Sequence, residues 1–192
     1  GEKEVFYLEY LIKEFNINEV QKAGAIFDIT KLDFLNSQHM ANLDLEEFIS
    51  HLEPFLKSKQ IDVNSHPKKE LLIDSMRSSA NNLEGIALNL VCYFHDVNEY
   101  NQKAIDKFIG SSNEVLVNLK EKLMNLDDWN EDSIDKLLVT YREEKELSVP
   151  KVNQPLRIAL TGSTQSPSLG MTLSLFEKEE AISRIEKLIN FI

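Results

Sequence analysis

From end to end the apolar residues of this chain recur at intervals of three and four, and nowhere do they alternate as in a half-buried strand. The clearest stripe follows Asp44, where Leu45, Phe48, Ile49, Leu52, Phe55 and Leu56 share one helical face and Asp44 stands at the N-cap position. Glu4 to Phe15 repeats the pattern with Phe6, Tyr7, Tyr10, Leu11 and Phe15. Asp28 opens a helix carrying Leu32, Leu35 and His39. Pro67 suits the first turn of a helix through LLIDSM, and a longer apolar helix follows from Asn82 to Phe94.

The second half continues in the same way. Glu99 to Ile109 is expected as a helix closed by Gly110, and Asn113 to Leu126 as another with Val115, Leu116, Leu119 and Leu123 inward. Asn130 caps a helix reaching Leu147, with Trp129 folded back on Ile134, and Pro150 lies just beyond its end. Pro155 to Thr161 reads as a helical turn or two stopped by Gly162, and Ser166 with Pro167 as the cap and first turn of a second short helix. Glu179 to Ile192 closes the chain, with Ile182, Ile185, Ile189 and Ile192 on one face and Glu180 four residues before Arg184. The pattern contains no internal repeat, and the class is all-α.

Length and composition narrow what such a bundle can do. At 192 residues the chain can bury a core in one or two units, and Gly and Pro are too scarce for a disordered or low-complexity segment. The longest apolar runs, such as Gly85 to Cys92, are too short to span a bilayer, so no membrane association is expected. GEKEVFY resembles neither a signal nor a transit peptide, and Gly1 in place of Met suggests a piece of a longer protein. Cys92 is the only cysteine and lies in the apolar run LNLVCYF, which suits a buried thiol in a reducing, cytoplasmic setting.

Chemistry is hard to find. His39, His51, His66 and His95 are scattered without metal-ligand spacing, so no metal site is expected. Phosphate-loop, dinucleotide and nucleophile-elbow motifs are all missing. The pairs Asp127–Asp128 and Glu143–Glu144 read as helix ends and solvated faces rather than catalytic couples. Catalysis by this chain alone is not expected.

One window stands apart. The chain carries 32 acidic residues for a net charge of −11, which opposes nucleic-acid binding by bulk electrostatics. Yet the 29 residues from Ser148 to Phe176 hold no Asp or Glu, one Lys and one Arg. Within it Leu156 and Leu160 can dock on the core, while Arg157 and Thr161, four apart, can point outward together. A helix start at Ser166–Pro167 would offer free N–H groups to phosphate or base carbonyls, and Leu169 an apolar wall for a splayed base. Arg157 could bond a base edge or phosphate, or stack on a base. The plainer alternative is that Arg157 pairs with a nearby carboxylate and the loop merely joins two helices. A rival class of function is a helical protein–protein interaction module whose apolar grooves take a partner helix.

The segments QPLRIALTG, SPSL and EKEEAISRIEKL resemble the C-terminal end of bacterial glutamyl-tRNA synthetases. That family shows Q-P-L-R-x-A-L-T-G, a short loop with a proline, and a final L-G-K-E-x-x-x-x-R-L-like helix. KLDFLNSQHM is similar to its K-L-x-W-L-N segment with Phe34 in place of Trp, CYFHDVNEYNQKA to its Y-F-F and Y-x-x-K-A pattern, and LDDWNEDSI to its Trp-led helix start. Two departures stand out: Glu177 replaces the glycine before the last helix, and Asn81-Asn82-Leu83 after Arg77 replaces a typical R-x-K-T-L.

The resemblance implies an all-helical anticodon-binding region of the α-helix-cage type. Residues 1–44 would be the tail of the tRNA stem-contact region, with two packed subdomains over 45–102 and 103–192. The family's Rossmann domain, which binds ATP and magnesium and carries the HIGH-like and KMSKS-like motifs, is absent from these residues. The chain would thus be a cofactor-free part of an ATP-dependent ligase, not an enzyme by itself. The partner implied is tRNA for glutamate, with tRNA for glutamine left open, in a parent enzyme that is usually monomeric. Arg157 matches the arginine near the central and third anticodon bases; Ser166, Pro167 and Leu169 match the loop and helix start enclosing the third base. Thr161 joins this set through its shared face with Arg157, and Arg77 is either the reader of the first base or a plain surface arginine.

Overall fold

Side-chain oxygens begin several of the helices at the places their sequence marks. The protein is represented by a computed structural model that describes residues 4–20, 24, 26–110 and 113–192. Gly1, on which the reading of a longer protein rests, lies outside the described residues. Among those residues there are eleven α-helices and no strand. In order they are α1 (Leu8–Glu14), α2 (Ile29–Asn42), α3 (Leu45–Ser58), α4 (Lys69–Met76), α5 (Leu83–Leu90) and α6 (Gln102–Phe108). Then come α7 (Asn113–Met124), α8 (Glu131–Glu144), α9 (Val149–Thr161), α10 (Leu169–Leu175) and α11 (Lys178–Phe191). Asp28, Asp44, Asn82 and Asn130 each accept from the backbone N–H three residues on, which satisfies a donor that the helix start leaves bare.

α3, α4 and α5 pack on one another, and a 3-10 turn at Val91–Tyr93 carries the chain from α5 onto α9. Beyond it α10 lies on α8 and α9, and α11 lies on α7 and α9. Phe48, Leu52, Leu72, Ile86, Leu156 and Ile185, drawn from both halves, are all fully buried in one continuous apolar core. Three polar contacts reach across it. Lys68 Nζ donates to the Ser174 carbonyl at 2.6 Å, Arg184 Nη2 to the His95 carbonyl at 3.2 Å, and the Trp129 indole N–H to the Phe176 carbonyl at 2.9 Å. The last ties the start of α8 to the turn between α10 and α11.

Several element ends differ from the sequence pattern, each for a local reason. α9 starts at Val149, so Pro150 sits in its first turn, where no N–H is needed, and Pro155 lies inside it as a buried core residue. α8 stops at Glu144, and Glu146 turns left-handed at φ 51°. The apolar run after Asn82 leaves α-geometry at Leu90, and Asn101 rather than Glu99 starts α6. Pro67 precedes α4 instead of entering its first turn. α10 is capped by Ser168, not Ser166: the Ser168 hydroxyl accepts from Met171 N at 3.2 Å. Gly162 ends α9 at φ 70°, where a Cβ would lie 3.0 Å from Val97 Cγ1, so both its handedness and its lack of side chain are used.

The N-terminal stretch is different in kind. α1 buries no residue and α2 only Met40, while Ile12, Ile26 and Phe27 are left 69%, 95% and 75% exposed.

Candidate nucleic-acid interface

A cleft of about 400 Å³, within the range of small-ligand sites, opens between the end of α4 and the loop after α9. Arg157 forms part of its wall. Ser166 and Pro167 line the same side, joined by Thr164 and Gln165, and Ser75, Ser78 and Ser79 face them from the α4 end. Apart from that guanidinium, the lining is neutral and hydroxyl-rich, in a protein of net charge −11.

Arg157 is half-buried and held by its own loop. Nε donates to Ser166 Oγ at 2.8 Å and Nη2 to the Pro167 carbonyl at 3.0 Å. Ser166 Oγ in turn meets the buried Thr172 Oγ1 at 2.9 Å, so a chain of hydroxyls fixes the plane of the guanidinium. Arg157 pairs with no carboxylate among the described residues, and its remaining N–H groups make no hydrogen bond there. Burial lowers its pKa and the charge interaction with Tyr93 opposes that shift, while an arginine keeps its charge in any case. A positive fork with spare donors beside neutral hydroxyls suits the carbonyl and ring-nitrogen acceptors of a base edge.

The other residues singled out by sequence divide sharply. Ser166 and Pro167 do line the cleft. Thr161 donates its hydroxyl back to the Arg157 carbonyl at 2.8 Å and accepts from Ser163 N at 3.2 Å, so it shapes the turn. Leu169 is 2% exposed and belongs to the core, which excludes it as a wall for a base. Moving the α10 cap from Ser166 to Ser168 turns that residue inward.

The expected anion site at this helix start is also overturned. The Asp135 carboxylate of α8 lies against the Gly170 backbone, and the Ser168 hydroxyl donates to Glu131 at 2.8 Å. Two carboxylates thus occupy the place meant for a phosphate. Burial, and the like charge of Glu131, raise the Asp135 pKa, and a side chain at position 170 would overlap the Asp135 carboxylate.

Arg77 lies close by in sequence but faces elsewhere. Its Nη1 donates to the Leu43 carbonyl at 2.7 Å, its Nε lies 3.0 Å from Asp74 Oδ1, and its guanidinium sits over the Phe48 ring. It is neither a plain surface arginine nor part of the cleft lining. The serines around it provide that lining, and only the run SMRSSA could have pointed to them.

Residues 47–189 match the family described as an anticodon binding domain. A glutamate–tRNA ligase of Myxococcus xanthus is 33% identical over 188 residues, which are 97% of this chain and 39% of that protein. The chain therefore spans about two fifths of the length of this curated relative. A solved glutamate tRNA ligase from Elizabethkingia meningosepticum, in complex with its amino acid, is similar with a TM-score of 0.80 and 29% identity, over 98% of this chain and 37% of that one. Glutamate-tRNA synthetase from Elizabethkingia anophelis gives 0.77 and 29% over the same shares, 98% and 37%.

Proposed function

The chain belongs to the anticodon binding domain family, and from that membership we propose that it reads the anticodon for a glutamate–tRNA ligase. The observation that carries the reading is the hydroxyl-lined cleft with Arg157 in its wall and no carboxylate. A base splayed from the anticodon loop enters it and accepts hydrogen bonds from the guanidinium. The hydroxyls of Ser75, Ser78 and Ser166 adjust to the remaining edge, since each can donate or accept. A wrong base leaves buried polar groups unpaired and loses about 1–3 kcal/mol, the scale found for mismatched nucleic-acid sites.

In this reading Arg157, Ser166 and Pro167 touch the base. Thr161 holds the turn, Leu169 supports the loop from inside the core, and Arg77 positions α4. The division at residues 44 and 102, a tRNA-stem tail followed by two anticodon subdomains, belongs to the same proposal. So do tRNA for glutamate as the partner, a monomeric parent and a cytoplasmic setting. No helix among the described residues is long and apolar enough to cross a membrane. Joining glutamate to tRNA, with its ATP and magnesium, is assigned to a part of the parent enzyme that these residues do not supply. The rival reading, a protein-docking module, draws on the exposed apolar residues of α1 and α2, which precede the matched residues 47–189.

The test is a titration at low salt with an anticodon stem-loop of glutamate tRNA, and with the same loop carrying G for C at the third anticodon position. The expected result is a clear preference for C that Arg157→Ala removes. Equal binding of both loops by the unaltered chain would count against the proposal.

A further inference from the structure

The cleft beside Arg157 has one wall that is tied down at a distance. The end of α4 and the turn after it bring Ser75, Ser78 and Ser79 to face Ser166 and Pro167. At the other end of α4, Lys68 Nζ donates to the carbonyl of Ser174, in the last turn of α10, at 2.6 Å. The two segments thus meet twice, at a joint formed by Lys68 and Ser174 and at the cleft itself. We propose that His66 is a proton-sensitive latch on this joint, holding the cleft in its binding shape while the imidazole is neutral and slackening it when the ring takes up a proton. The inference rests on the anticodon reading above and adds a control to it.

The latch depends on one acceptor. Lys68 stands at the N-cap of α4, yet its side chain caps nothing and reaches Ser174 instead. Its backbone N–H donates to His66 Nδ1 at 3.1 Å. A backbone N–H can only donate, so Nδ1 carries a lone pair and the half-buried ring is neutral, with its proton on Nε2. Phe94 meets the ring edge-on, with centroids 5.7 Å apart. His66 therefore fixes the backbone of Lys68, and the side chain of Lys68 fixes Ser174. α4 is eight residues long, about 12 Å, and moves as a rod, so a shift at Lys68 is carried to the serines of the cleft.

A proton on Nδ1 sets two donors face to face and ends the bond to Lys68. It also places a positive ring beside the Lys68 ammonium. Around the ring stand Glu177 and Glu180 from the start of α11, the Tyr93 phenol, and Lys69 and Glu70 from the first turn of α4. The phenol stays neutral, because burial raises its pKa. Burial lowers the His66 pKa and Lys68 adds to that shift, against the Leu175 backbone and the two α11 glutamates. The hold of His66 on the joint is thus fully present above the ordinary value of 6.5 and is lost as pH falls through the lower folded value.

The sign of the effect on RNA separates the latch from bulk charge. Acid protonates carboxylates together with His39, His51 and His95, so a chain of net charge −11 becomes less negative and holds phosphates more tightly. The latch weakens binding over the same range, by up to about tenfold per pH unit, the limit for one exchanged proton. The experiment titrates the whole 192-residue chain with the glutamate anticodon stem-loop at several values between about pH 7.5 and about pH 5.5. Binding should weaken towards acid in the native chain. In His66→Asn, whose Oδ1 offers an acceptor that does not titrate there, it should tighten instead. Amide NMR spectra of the native chain without RNA read the joint directly: the Lys68, Ser174 and Ser79 signals should move with the midpoint of the His66 ring. Tighter native binding in acid, the same weakening in the variant, or a Ser79 signal that ignores the His66 midpoint would overturn the latch and leave the anticodon reading standing. Equal binding of the C and G loops at neutral pH would overturn the anticodon reading, and the amide signals would then decide the latch alone.

Discussion

The interior around Arg184 and the cleft around Arg157 use the same side chain on two helices that pack together, α11 and α9. Arg184 is 6% exposed and engages every nitrogen of its guanidinium: Nε and Nη2 to Glu180 Oε1, Nη1 to the Leu160 carbonyl, Nη2 also to the His95 carbonyl. Its planar face lies over the Phe176 ring at 4.7 Å. Arg157 makes two hydrogen bonds, both within its own loop, and leaves donors over at the edge of a cleft. The difference teaches how to read an arginine in a fold. A saturated guanidinium is part of the scaffold, whereas one that is anchored but not saturated is available to a ligand.

The sharpest way to break the comparison is Arg184→Ala. The buried Leu160 carbonyl loses its donor, at about 1–3 kcal/mol, the half-buried His95 contact is lost as well, and the Phe176 contact goes with them. Urea unfolding should show a loss of several kcal/mol, whereas Arg157→Ala should shift the same curve by well under half as much. Equal shifts would remove the distinction between scaffold and reader.

Leu169→Ala comes next. A buried leucine cut to alanine costs about 2–5 kcal/mol, so the unfolding midpoint should fall. Under conditions where the variant stays folded, its C-over-G preference in the stem-loop titration should be retained, because the leucine does not line the cleft. Loss of preference without loss of stability would return Leu169 to the binding surface.

The smallest effect at neutral pH belongs to Cys92. Burial pushes its thiol from 9.0 up to about 12, so the unfolded chain ionises first as pH rises. The contribution of this group to stability is fully present below pH 9 and is lost progressively between pH 9 and about 12. Cys92→Ala should flatten that part of the stability profile in chemical denaturation. In the native chain at pH 8 the thiol should react with iodoacetamide far more slowly than in urea.

Much of this architecture was legible because helices advertise themselves locally. Apolar spacing and the caps at Asp28, Asp44 and Asn130 lie within a few residues of what they determine, and all three caps form. Arg157 and Ser166 could be picked for the same reason, being nine residues apart on one hairpin of helices. What failed depends on longer range. Pro155 looks like a breaker until the core on which it packs is known. Choosing Ser166 over Ser168 as the cap of α10 mistakes the facing of each residue by about 200° of helical rotation, enough to turn Leu169 inside out. The serines opposite Arg157 come from the end of α4 and the turn after it, roughly eighty positions earlier, and no local pattern joins them to that loop.

The joints between elements share one habit. Lys68, Lys178, Arg77 and Arg184 all reach across to backbone carbonyls, at 2.6, 2.7, 2.7 and 3.0–3.2 Å, instead of relying on carboxylate partners alone. Mobile ions screen the attraction between separated charges, but they have little purchase on a cation already seated on a carbonyl inside the protein. Contacts to RNA phosphates weaken steeply as salt is added. Ionic strength therefore acts on what the chain holds rather than on how the chain is held, and a bound RNA can be washed away from clefts that keep their shape.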